Sequence, residues 1–116
     1  MDNLTELAGK LASLCRRLKF VEAYQELFAG DAISIDPIYK NEPLQGLAAL
    51  IDREQQFLSA NVVHSCRISE PLFAANYFSV VIALEFVNPA GEHKAVKEIA
   101  VYKVEQGKIT SQQFFI

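Results

Sequence analysis

The sequence predicts an α+β domain in which three helices from the N-terminal half pack on one face of a strongly curved, mostly antiparallel sheet. Two observations carry this expectation. Apolar residues recur at helical spacing up to Leu58 and at strand spacing from Val62 onward, so helices and strands are segregated along the chain. The turn signals Glu70-Pro71, Asn88-Pro-Ala-Gly91 and Gln106-Gly107 then cut the second half into successive strands joined by short connections, which suit an antiparallel meander. At 116 residues the chain fits one domain spanning 1–116.

The first helix is predicted from Leu4, Leu7, Ala8, Leu11, Leu14, Cys15 and Leu18, with Asn3 and Glu6 spaced as a capping box. A second stripe, Phe20, Ala23, Tyr24, Leu27 and Phe28, ends at Gly30, a C-terminal stop. Packing both helices on one sheet needs a bend between Arg16 and Lys19. A short strand follows from Ala32 to Asp36, closed by Pro37, and Pro43 with Gly46 brackets a loop before the third helix. That helix presents Leu47, Leu50, Ile51, Phe57 and Leu58, and helical arithmetic puts Glu54 in the middle of its apolar stripe. Glu54 either reaches past the rim, pairs with an arginine, or lines an interior pocket. Four strands complete the chain: Val62 to Ser69, Asn76 to Val87, Lys94 to Glu105 and Lys108 to Phe115.

Composition narrows the function. Hydrophobic residues make up 51% and charged residues 22%, enough apolar surface for a packed core. A net charge of -3 offers no attraction for phosphate backbones, and Arg16, Arg17 and Lys19 do not make a basic face, so no nucleic acid is expected. His64 and His93 stand apart without further ligand spacing, so no metal is expected. Cys15 and Cys66 fall in apolar patterns and read as buried reduced thiols. The start Met1-Asp-Asn-Leu-Thr-Glu lacks a basic segment followed by an apolar run, and no stretch has the length of a membrane helix. The expectation is a cytoplasmic protein with no membrane partner.

Strand alternation assigns the faces. On the strand to Val87, Phe78, Val80, Ile82, Leu84 and Phe86 share one side, which must lie under the helices. On the next strand Lys97, Ile99, Val101 and Lys103 mark the outer side, which turns Glu98 and Tyr102 inward. Val62, His64, Cys66 and Ile68 form the more apolar face of their strand, so His64 is expected inside as well. A carboxylate, a phenol and an imidazole in one cavity are suited to acid-base work: the carboxylate moves a proton and the phenol donates to a developing oxyanion. Glu98 has no Lys or Arg beside it on its own strand face, although Arg67 or His64 could pair with it across strands. Val81, Ala83, Ile99 and Val101 are apolar or small on the outer face, and such a patch is usually covered. A homodimer through that face is expected.

The run Glu98-Ile-Ala-Val-Tyr102, followed by Gly107-Lys-Ile109 and Phe114-Phe115, resembles the SnoaL-like domains of the nuclear transport factor 2-like superfamily. His64-Ser65, Ser69-Glu-Pro71, Gly46 and Phe78 support the likeness, which covers nearly the whole chain. The resemblance implies a cone-shaped α+β barrel with a pocket inside. Members include polyketide cyclases, ketosteroid isomerases, dehydratases and ligand-binding domains; the cyclases and isomerases work on carbonyl compounds without metal or organic cofactor. The chain ends at Ile116 without the aspartate often found after the last strand of such domains, so no catalytic residue is carried across. The expected function is binding or conversion of a small apolar carbonyl-type metabolite by isomerase, cyclase or dehydratase chemistry. Glu98 is the expected base, His64 or Tyr102 the donors, and Tyr24, Glu54, Phe57 and Phe78 the pocket wall. The alternative is a non-enzymatic dimeric ligand-binding or interaction module whose cavity is filled by Phe20, Phe57 and Phe78.

Overall fold

In a computed structural model that describes residues 3–116, the elements run α1 (Asn3–Arg16), α2 (Phe20–Leu27), β1 (Phe28–Ile35), β2 (Leu44–Gln45), α3 (Leu47–Ala60), β3 (Val62–Ile68), β4 (Leu72–Ala74), β5 (Tyr77–Val87), β6 (His93–Glu105) and β7 (Lys108–Phe115). The capping pair expected of Asn3 and Glu6 rests on a side chain outside the described residues. Helix α1 buries Leu7, Ala8, Leu11, Leu14 and Cys15 along one face, the stripe its spacing requires. It stops because Leu18 turns left-handed, at φ 62. The Leu18 amide then donates to Cys15 O and the Lys19 amide to Leu14 O, a pair of bonds that closes orphan carbonyls and redirects the chain into α2. This supplies the bend that no residue between Arg16 and Lys19 advertises.

Helix α2 ends at Leu27, three residues before the stop expected at Gly30, and Phe28 opens β1. The sheet takes Phe28 because β1 pairs in parallel with β7, Phe28 lying opposite Ile109. Its ring still packs on Tyr24, with centroids 4.7 Å apart, so helical spacing alone does not separate the two states. Gly30 lies instead in the irregular stretch between Phe28 and Ile33, where the β1–β7 register shifts.

The sheet order is β2-β1-β7-β6-β5-β3, with β4 also on β5. It is a mixed, mostly antiparallel, curved open sheet rather than a closed barrel, since β2 and β3 end the path. The long pair β5–β6 sets the inner face: Phe78 lies opposite Tyr102, Val80 opposite Ala100, Ile82 opposite Glu98 and Leu84 opposite Val96. Phe78, 1% exposed, is among the largest fully buried side chains, together with Leu50 from α3 and Ile109 from β7. Strands β6 and β7 meet at Gln106 and Gly107, with φ 52 and 78, a two-residue hairpin in which both positions are left-handed. A Cβ on Gly107 would meet nothing within 4 Å, so Gly107→Ala carries only the backbone penalty. It is expected to lower stability by about 1 kcal/mol in chemical denaturation, and an unchanged midpoint would show that the turn relaxes to another type.

Candidate functional site

Three rows of inward side chains cross the sheet and define a cavity under the helices. Tyr102 lies opposite Gln112 and Gln112 opposite Ser34, so β6, β7 and β1 present a polar row. Ala100 and Phe114 form the next row, and Ile68, Ile82 and Glu98 the one after. Helices α1, α2 and α3 lay Cys15, Tyr24, Glu54 and Phe57 over these rows. Two adjoining chambers result, an inner one of about 110 Å³ and an outer one of about 170 Å³. Tyr24, Glu54, Glu98 and Gln112, with Phe57 and Phe114, line both and form the waist between them.

The polar row is wired. Gln112 Nε2 donates to Tyr24 Oη at 2.8 Å and to Ser34 Oγ at 3.0 Å. Arg53 Nη2 donates to Ser34 Oγ at 3.1 Å, and its guanidinium lies 4.1 Å from the centroid of the Tyr39 ring. Gln112 and Ser34 are buried, and among the described residues no buried side-chain nitrogen or oxygen is left without a partner, as is usual for buried polar groups. Because Tyr24 accepts from Gln112, its phenolic hydrogen remains for a further acceptor. Tyr102 is 3% exposed and lines the inner chamber; its hydroxyl makes no hydrogen bond among the described residues, and since no buried side-chain oxygen there lacks a partner, that oxygen opens onto the cavity.

Neither Glu54 nor Glu98 has a hydrogen bond or ion pair among the described residues. Burial pushes the Glu98 carboxyl up to about 7, and the negative charges of Asp36 and Glu54 add to that rise. Burial likewise brings Glu54 up to about 7, with Arg53 pulling the other way. Each is therefore poised to gain or lose a proton near neutrality, the range in which a carboxylate works as a general base. Burial holds the phenols of Tyr24 and Tyr102 well above the ordinary tyrosine range, so both remain proton donors. Burial also pushes the Cys15 thiol up to about 12 and Cys66 to about 11; both are free, protonated and poor nucleophiles.

Glu98, Tyr102, Tyr24, Glu54 and Phe57 all line the cavity, as the alternation and helical arithmetic require. His64 does not. The β3–β5 register slips between Val63 and Ser65, and one extra residue reverses parity. His64 is exposed and stacks on His93 at the far end of the sheet, with centroids 6.2 Å apart. Phe78 is not part of the wall either: it lies behind it, stacked on Tyr102 with centroids 4.9 Å apart. Arg67 is exposed and opposite Ala83, so it does not neutralise Glu98. The cavity is open, not filled by Phe20, Phe57 and Phe78.

Sequence reasoning missed Gln112, Ser34, Arg53 and the two thiols as site components. Gln112 carried a usable signal, a polar residue two positions before the inward Phe114. Ser34 and Arg53 carried none. Asp36, the last residue of the short strand expected from Ala32, accepts from the Ile38 amide at 2.9 Å and also lines the outer chamber. Among the described residues, no cluster of three or more His, Cys, Asp and Glu is placed to hold a metal, and no helix is long and apolar enough to cross a membrane.

A curved sheet covered on one face by three helices, with ionisable groups facing the space between, defines an α+β pocket protein. The model of the SnoaL-like domain matches residues 3–116, and the chain belongs to that family. Among solved structures, a Mesorhizobium loti protein named as a candidate SnoaL-like polyketide cyclase superposes with TM-score 0.88 at 23% identity, covering 100% of both chains. A Catenulispora acidiphila protein of ketosteroid isomerase-like fold, solved with trimethylamine, gives 0.79 at 16% identity over 96% of this chain and 85% of its own. A Burkholderia pseudomallei protein of the nuclear transport factor 2-like class and unknown function gives 0.79 at 13% identity over 100% of this chain and 92% of its own. These likenesses establish the fold. No curated protein sequence matches the chain.

Proposed function

We propose that this chain binds a small, largely apolar carbonyl compound in the two-chamber cavity and moves a proton on it, in the manner of an isomerase, cyclase or dehydratase. The observation that carries this reading is the unpaired Glu98 carboxylate at the waist, facing the inner chamber that holds the unpartnered Tyr102 hydroxyl. Glu98 takes a proton from the carbon next to the carbonyl. The C–H electron pair forms a carbon–carbon double bond, and the carbonyl π pair moves onto oxygen. The hydroxyls of Tyr102 and Tyr24 donate to that enolate oxygen, and Glu98 returns the proton to the same or a conjugated carbon. Preorganised donors in a site sheltered from water are worth more than in solution.

The test is solvent deuterium incorporation into 3-methyl-2-butanone at pH 8, followed by proton NMR. Saturable exchange above the buffer rate is expected. A ketone that neither binds nor exchanges faster than in buffer removes the reading.

We propose as well that the protein is a homodimer through the outer sheet face. Val81 lies opposite Ile99, and Ile99 opposite Phe115; they are 36%, 48% and 48% exposed and form a continuous apolar row, next to Ala83 and Val101. Ile99→Lys is expected to convert a dimer to a monomer in light scattering. A wild-type mass of 12.9 kDa at micromolar concentration would contradict the proposal.

A further inference from the structure

One carboxylate suffices to move a proton, yet Glu54 and Glu98 both line the two chambers, and both lack partners among the described residues. Asp36 adds a third acidic group on the outer wall. Arg53 is the one cation on the walls formed by the described residues, and it is committed to Ser34 and the Tyr39 ring. Around the waist stand Tyr24, Phe57 and Phe114, and aromatic faces attract cations. Ionised carboxylates only accept hydrogen bonds, so this part of the wall calls for a donor with positive charge. In the inner chamber the need is different: Tyr102, buried on its strand, offers its unpartnered hydroxyl to the cavity. At about 110 Å³ that chamber is the smaller of the two and suits the smaller end of a ligand.

We propose that the ligand of this cavity carries a protonated amine held at the waist between Glu54 and Glu98 against the Tyr24, Phe57 and Phe114 rings, while its small carbonyl end enters the inner chamber toward Tyr102. The inference rests on the cavity being the ligand site and narrows the substrate class to small amino ketones and amino aldehydes. It also excludes carboxylated metabolites, whose charge would meet two acidic side chains with no free cation to answer it. The other titratable and charged groups lining the two chambers are Cys15 on α1, Tyr24 on α2, Cys66 on β3 and Tyr102 on β6 in the inner one, and Asp36 and Tyr39 in the loop after β1 with Arg53 on α3 in the outer one. The thiols and the two buried phenols stay neutral through the physiological range because burial raises them. Glu54 and Glu98 are thus the groups that change charge near pH 7, and a bound ammonium displaces their protons.

Calorimetric titration tests this with isobutylammonium chloride and its neutral isostere isobutanol, at pH 6 and pH 8, in two buffers of different ionisation enthalpy. At pH 8 the ammonium is expected to bind at least tenfold more tightly than the alcohol. Its affinity should fall severalfold to tenfold by pH 6, with protons released on binding. In Glu54→Gln the preference for the ammonium should shrink severalfold while alcohol binding persists, which separates lost charge from lost folding. Equal affinities, a preference for the alcohol, or no ammonium binding overturns the inference. The carbonyl reading survives each of those results if 3-methyl-2-butanone still exchanges its proton, and fails only if it does not.

Discussion

Glu98→Gln is expected to lower the rate of α-proton exchange on a bound ketone by about 10²–10⁴-fold, the usual contribution of a positioned general base. The substitution keeps the shape of the side chain and its place opposite Ile82, so binding of a neutral ketone should change little and the loss should fall on turnover. In the wild type, the rate should follow the ionised form of Glu98. Its carboxyl sits at about 7, so kcat/KM should rise about tenfold per unit from pH 5 to pH 6 and level off above neutrality. Exchange that survives the substitution, or a profile flat between pH 5 and pH 8, would remove Glu98 from the chemistry. Tyr102→Phe separates the donor from the base: it leaves the ring stacked on Phe78 and should lower the plateau without moving the pH at which the rate rises.

Glu54→Gln should stabilise the protein, and only at the alkaline side of neutrality. Glu54 rises from 4.5 to about 7 on folding because burial disfavours its charge. The native state therefore holds the proton more tightly than the unfolded chain. That contribution to stability is complete below pH 4.5 and is lost as pH climbs through 7. Glutamine stays neutral throughout and escapes the loss. The expected gain at pH 8 is about 3 kcal/mol, a rise in Tm on the order of 10 °C, shrinking to near zero at pH 4.5. Urea unfolding of both proteins across that range reads it directly. A destabilised variant at pH 8 would mean that Glu54 is held by a favourable contact with Arg53. A carboxylate that weakens its own fold is the trade between activity and stability expected of the role proposed for Glu54.

Much of this site was legible because it obeys two periods. The 3.6-residue spacing of α3 put Glu54 among Leu50 and Phe57, and the alternation of β6 between lysines and apolar residues turned Glu98 and Tyr102 inward. His64 failed on the same rule, since a single bulged residue on β3 reverses every side chain before it, and nothing in Val62-Val63-His64-Ser65 announces the bulge. The α2–β1 boundary failed for a different reason: Phe28 packs on Tyr24 whether the backbone is helical or extended, and the choice is made by Ile109 on the other strand. Pairings of that kind leave no local mark. The short strands β2 and β4 were missed likewise, each being only two or three residues long.

The parallel pair β1–β7 also bears on how the molecule comes to exist. Ser34 and Gln112 are 78 residues apart in sequence, so their bond forms only after the chain has closed a very large loop, an entropic cost met before any reward. The hairpin of β5 and β6 needs no such closure and can form early. The pocket is therefore a late product of folding: until the last strand docks, Gln112 has neither Tyr24 nor Ser34 as an acceptor, and β1 has only the two-residue β2 to pair with. An emerging chain would carry its helices and central hairpin while its chemistry was still unassembled, and stopped-flow refolding should show protection of the β5–β6 amides before those of β1.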